Sequence, residues 1–250
     1  MSKTSLFCLF FILSAVLSGM QSNRSESRKE EPKKIYMEHA DSTEFREENN
    51  PDVWVAKGNV VFRHDSTYLY CDSAYLYNTD NSLEAFSNVV IEQGDTLFIY
   101  GDYLMYEGNN NLAKMRENVR MENNDVTLFT DNLNYDRNQN MGYYFDGGML
   151  VDSLNELTSI YGQYSPETRI ATFKEEVTLL NPQFTLDSDT LKYNTITRVA
   201  TILGQTQIES DSGTVYSTRG IYATLTDEST LYDRSLVTSK DGTKTITADT

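Results

Sequence analysis

The feature that most limits what this chain can fold into is an internal repeat. Gly58-Asn59-Val60-Val61-Phe62 recurs as Ser87-Asn88-Val89-Val90-Ile91, as Glu117-Asn118-Val119-Arg120-Met121, and more loosely as Glu175-Glu176-Val177-Thr178-Leu179. A second phrase follows each of these. Gly101-Asp102-Tyr103-Leu104-Met105-Tyr106 matches Thr130-Asp131-Asn132-Leu133-Asn134-Tyr135 and Ser188-Asp189-Thr190-Leu191-Lys192-Tyr193, and Asp41, Asp72 and Asp249 hold the aspartate's place in further copies. The asparagines step by 29 and 30, so the period is near 30.

Turn spacing decides which repeat architecture this is. Clusters of Asn, Asp, Gly, Ser and Pro punctuate the chain every 13 to 17 residues from about 65 to 241. These residues favour turns because they tolerate left-handed backbone or bond their own main chain. Each period therefore holds two strands of about 10–11 residues, each spanning about 35 Å. A parallel β-helix would show three corners per period, and apolar residues alternate rather than recurring at three and four. The expected fold is all-β: a long antiparallel meander of two-strand repeats, too extended to stay flat and so folded over on itself.

Alternation marks an expected inner face. Its candidate residues are Val89, Ile91, Phe98, Leu104, Tyr106, Phe129, Leu133, Tyr135, Phe184, Leu191 and Tyr193. Two readings stand side by side. These side chains could fill a dry core, or they could line a linear groove for acyl chains, each buried methylene contributing roughly 0.8 kcal/mol without demanding particular partners. The aspartate that returns once per period reads as architectural, placed at a bend or mouth, because a catalytic carboxylate pair would need only two in one place.

Outside the repeats, residues 1–19 read as a cleavable secretory signal: Lys3, an apolar run from Leu6 to Leu17, then Ser18 and Gly19. Leu17-Ser18-Gly19-Met20 looks like a lipoprotein signal without the cysteine to be acylated, so a lipid anchor is not expected. Residues 20–34 are polar and read as a flexible leader, and 35–250 as the repeat domain, which stops within a repeat. That stop would leave a free edge for strand addition, unless the product is truncated. Cys8 leaves with the signal, so Cys71 has no disulfide partner and reads as a small buried hydrophobe.

The formal charge of −16 excludes nucleic acid, which needs a basic footprint. An anionic ligand would have to be held by its apolar part or by a local basic cluster. His39 and His64 sit in no triad or metal-ligand pattern and read as surface or strand-end residues. No phosphate-loop, dinucleotide or nucleophile-elbow text occurs, so no catalysis, cofactor or metal is expected.

Over roughly 35–250 the chain resembles the OstA-like family, the periplasmic bridge proteins of lipopolysaccharide transport and the related N-terminal domain of their outer-membrane partner, in the version found in Bacteroidota. The matching text is Ala56 through Phe62, Glu84 through Ile91, Gln93 through Leu97 leading into Gly101 through Tyr106, and Ser188 through Tyr193. The resemblance implies an open β-jellyroll (β-taco) whose interior carries the acyl chains of lipid A. It implies a periplasmic or outer-membrane-associated protein, with other Lpt proteins or further copies joined edge to edge. The acidic charge, the greater length and the end within a repeat depart from the compact bridge protein. Two other readings are weighed: a structural or adhesive surface repeat with a filled core, and a polysaccharide-degrading β-helix enzyme, which the turn rhythm opposes.

Overall fold

The alternating β-branched and aromatic runs form strands throughout. In the computed structural model, residues 33–46 and 53–248 are described, and none of them is helical. The expected signal peptide, nearly all of the leader and the Asp249 copy of the repeat lie outside the described residues.

The strands are β1 (Tyr36–His39), β2 (Ser42–Arg46), β3 (Val53–His64), β4 (Thr67–Tyr77), β5 (Ser82–Gln93), β6 (Leu97–Glu107), β7 (Leu112–Asn123) and β8 (Val126–Asp136). They continue as β9 (Met141–Tyr144), β10 (Gly148–Val151), β11 (Glu156–Ser159), β12 (Tyr161–Ser165), β13 (Ile170–Asn181) and β14 (Phe184–Asn194). The last are β15 (Val199–Ile202), β16 (Thr206–Ser210), β17 (Gly213–Ser217), β18 (Arg219–Ala223), β19 (Glu228–Tyr232), β20 (Ser235–Ser239) and β21 (Thr245–Ala248). All pair antiparallel in one sheet.

Each long strand bends near its middle, and the repeated phrases mark the bend. Pairing between β3 and β4 slips between Lys57 and Val60, between β5 and β6 from Phe86 to Val89, and between β7 and β8 from Arg116 to Val119. In the gap lie two residues of left-handed backbone: Gly58 and Asn59 (φ 76° and 47°), Ser87 and Asn88 (61° and 51°), Glu117 and Asn118 (63° and 52°). Asparagine tolerates this conformation better than most residues, which accounts for the recurring Asn-Val. Its side chain then meets the repeated aspartate. Asn88 Nδ2 donates to Asp72 Oδ2 at 2.8 Å, Asn118 Nδ2 to Asp102 Oδ2 at 2.6 Å, and Asn59 Nδ2 to Asp41 Oδ2 at 3.0 Å. The repeated aspartate sits at the bend and is exposed, as an architectural role requires.

The bend also breaks the parity of the strand. Along β6 the buried positions are Leu97, Ile99 and Gly101, then Leu104 and Tyr106. The step of three moves every residue before the bend to the opposite face from the one that simple alternation assigns. Phe98 and Phe129 share parity with Leu104 and Leu133 but lie before the bend, so they point outward. Phe98 stacks on Tyr100 with ring centroids 6.5 Å apart, and Phe129 is 37% exposed. The expectation that these two line the interior is corrected accordingly.

The two halves of each bent strand belong to two half-sheets that face each other across one apolar core. In one half-sheet a cross-strand row runs Phe62, Leu69, Ile91, Ile99, Met121, Leu128 and onward. In the other, tyrosines alternate with small residues: Tyr106 faces Ala113, Tyr135 faces Gly142, Tyr164 faces Ala171 and Tyr193 faces Ala200. Large beside small lets the rings lie down within a close-packed layer.

Candidate functional site

The interior and its closure form the candidate site. Nine of the expected inner-face residues do point inward: Val89, Ile91, Leu104, Tyr106, Leu133, Tyr135, Phe184, Leu191 and Tyr193, with exposures between 0% and 4%. Fully burying a side chain of this size stabilises by about 1.5–3 kcal/mol relative to leaving it exposed. The interior is thus continuous and apolar, and along these rungs it is sealed from solvent.

The seal lies at the mouth, where the turns of one half-sheet meet the turns of the other. Its organising element is a ladder of tyrosines at a step of 29: Tyr106, Tyr135, Tyr164, Tyr193 and Tyr222. Their rings belong to the core, and their hydroxyls meet polar groups at the rim. Tyr164 donates to Asn123 Oδ1 at 2.9 Å and Tyr193 to Asp152 Oδ2 at 2.5 Å. Each of these bonds spans the two half-sheets. Tyr135 and Tyr222 differ: their hydroxyls bond Asn140 and Asp227 on their own side, with Gln93 Oε1 3.4 Å from the Tyr135 hydroxyl, and the Tyr222 ring meets Phe184 edge-on at 4.6 Å. Burial raises the Tyr106, Tyr135 and Tyr193 hydroxyls above the ordinary phenol range, so they stay protonated donors.

At the first closed rung, His64 is a strand-end residue but buried rather than on the surface. Its Nε2 lies 2.8 Å from the Lys33 carbonyl, which can only accept, so Nε2 carries the proton. Nδ1 is left to accept from the Tyr106 hydroxyl at 2.6 Å, and Arg137 Nη1 donates to the same hydroxyl at 2.6 Å. Burial, with the Arg137 charge acting in the same direction, holds the imidazole below its ordinary pKa and keeps it neutral.

Farther along, the latch is ionic. Arg198 Nη1 lies 2.7 Å from Asp152 Oδ1, and Arg198 Nη2 lies 3.4 Å from Asp125 Oδ2. Arg169 Nη2 bonds the other oxygen of Asp125. The Asp152 side chain is fully buried. Burial alone would raise its carboxyl, but hydrogen bonds from Tyr193, Asn155 and two backbone amides outweigh that and hold it below the usual carboxylate range.

Chemically, the arrangement can enclose hydrocarbon and hold a polar rim. Among the described residues no cluster of three or more His, Cys, Asp or Glu could hold a metal. Cys71 is buried, its thiol pushed up to about 12 chiefly by that burial, as a small structural hydrophobe would be. The rim is what sequence reasoning missed. Tyr164 and Tyr222 and the arginines at 137, 169 and 198 were not singled out, although the 29-residue step of the tyrosines was there to be read.

The chain matches the family model described as "OstA-like protein" over residues 32–189. Among solved structures it is similar to LptH, the LptA-homologous periplasmic component of the conserved lipopolysaccharide transport device from Pseudomonas aeruginosa. That likeness has 12% identity and a TM-score of 0.20, covering 67% of this chain and 80% of that one. No curated protein matches the chain.

Proposed function

This chain belongs to the OstA-like family, and from that premise we propose that it is a non-enzymatic periplasmic carrier or bridge in lipopolysaccharide transport, holding acyl chains of lipid A between its half-sheets. One observation carries the reading: an apolar interior that runs from rung to rung, closed along its mouth, among the described residues, by non-covalent side-chain contacts. Val89, Ile91, Leu104, Tyr106, Leu133, Tyr135, Phe184, Leu191 and Tyr193 would contact the chains once the mouth parts. Sugar and phosphates would remain in water at the rim.

The same reading gives the partners. Other Lpt proteins, or further copies of this chain, would join the sheet by strand addition. Export would use the cleavable signal at 1–19, without a lipid anchor.

A second reading is favoured by a specific observation. Leu104, Leu133 and Leu191 are each 0% exposed, as the filled core of a structural or adhesive surface repeat would have them. Photo-crosslinking side chains at these three positions separate the two. The carrier labels lipopolysaccharide in cells at all three, whereas absence of labelling in a folded, exported protein leaves the filled-core reading standing.

A further inference from the structure

The turns that end each rung on the tyrosine side close with a residue in left-handed backbone. The series is Asn81, Asn111, Asn140, Arg169, Arg198 and Asp227, with φ between 50° and 58°. Asparagine is suited to that conformation and arginine is not, so at two rungs a less favourable residue occupies a position where its neighbours have the natural one. What distinguishes these two rungs is where the guanidinium groups go.

Both arginine side chains lie back over the mouth, 12% and 13% exposed. Each is steadied from behind: Arg169 Nε donates to Thr195 Oγ1 at 3.1 Å, and Arg198 Nη1 meets buried Asp152. Their outer nitrogens converge on the two oxygens of a single carboxylate, Asp125, at the tip of the β7–β8 turn and 52% exposed. Two fixed guanidiniums gripping one oxyanion from two sides is the geometry of an anion clamp. It sits at the rim beside Tyr164 and Tyr193, where the headgroup of an amphiphile would rest with its chains between the half-sheets. In a chain of net charge −16, such a headgroup needs a local cationic contact to approach at all.

We propose that Arg169 and Arg198 form a binding site for a phosphate monoester on the ligand's headgroup, and that Asp125 is an internal stand-in which the phosphate displaces. This rests on the carrier reading above. A phosphate monoester brings about −1.5 to −2 charge and three acceptor oxygens against the single charge of a carboxylate, so the exchange favours the ligand. Asp152 remains behind Arg198 and keeps it aimed while Asp125 swings out to water.

The test uses the full exported chain and three probes: bisphosphorylated lipid A, the same lipid with its phosphates removed, and inorganic phosphate. The intact protein should bind the phosphorylated lipid about tenfold more tightly than the dephosphorylated one, with the preference shrinking in high salt. Asp125→Asn should tighten binding of the phosphorylated lipid roughly three- to tenfold and leave the other unchanged, because it removes the competing anion. Arg169→Gln with Arg198→Gln should erase the preference. If that double variant fails to fold, Asp125→Asn decides alone, since a merely structural latch predicts no phosphate-dependent gain from it. Equal affinity for the two lipids overturns the proposal and leaves the carrier reading intact. Inorganic phosphate competing as strongly as the lipid, with no difference between the lipids, overturns the assignment to a headgroup. Binding of neither lipid removes the carrier reading and this site with it.

Discussion

The rungs from β3 to β8 and those from β15 to β21 follow the same period but are built differently. In the first region each strand is 11 or 12 residues long and runs unbroken through its bend, which Gly58-Asn59, Ser87-Asn88 and Glu117-Asn118 make. In the second the bend is a break, and the pieces are 4 or 5 residues long. The inner crease changes with it. Val60, Cys71, Val89, Gly101 and Val119 line it first; later, Ser188 meets Thr206 at 2.7 Å and Ser217 meets Ser235 at 3.0 Å. Inner positions such as Leu104 and Leu133 are fully covered, whereas Val215 and Leu231 are half-buried and Ile246 is 65% exposed. Periodicity alone therefore does not bury a rung; rungs of the same period differ in how far their inner side chains are covered and in the chemistry of their bends.

The largest break in this comparison comes from deleting inner volume. Leu104→Ala should cost about 2–5 kcal/mol of stability in denaturant unfolding, the range for a buried Leu truncated in a packed core. Leu231→Ala should cost about 1 kcal/mol or less, because the site is already partly hydrated. Equal costs would show that the two regions are packed alike.

The bends give a smaller effect with two signs. Asn118→Ala puts a side chain with no local hydrogen bond into left-handed backbone and loses the bond to Asp102, a cost of about 1–2 kcal/mol. Glu176→Asn, at the matching bend of β13 where Glu175 and Glu176 both have positive φ (61° and 53°), should gain up to about 1 kcal/mol. A loss at Glu176→Asn would mean that the bend is set by something other than backbone preference.

The smallest effect sharpens the contrast by pH. His64, found only in the first region, has a folded pKa below its ordinary 6.5. The unfolded chain takes up the proton first, so its contribution is complete above about pH 6.5 and declines as pH falls from there toward the folded value. His64→Gln should flatten that part of the stability profile while leaving in place the loss at lower pH that follows from the lowered carboxyl pKa values of Asp125 and Asp152. A profile unchanged by the substitution would show that the imidazole is not held neutral at the mouth.

Much of this architecture was legible because its signals are local. The clusters of Asn, Asp, Gly, Ser and Pro mark the turns, the recurring Asn59, Asn88 and Asn118 mark the period, and alternation around Val89 and Ile91 or Leu133 and Tyr135 identifies strands and their inner side. Phe98 and Phe129 went astray for an equally local reason: the one-residue slip at the bend reverses the face, and alternation carries no memory across it. The rim was not legible. His64 with Tyr106, Asn123 with Tyr164 and Asp152 with Tyr193 are about forty residues apart, and nothing in either member of a pair names the other.

By itself, then, the sequence determined the zigzag, its period and the chemistry of its bends, because turns and alternation are decided by a few neighbouring dihedral angles. Only the tertiary structure decided that the half-sheets close on each other, which aromatic rings end up inside, and which arginines meet which aspartates. Those outcomes depend on how far the sheet curls, a property of many strands together, and on charges brought together through space.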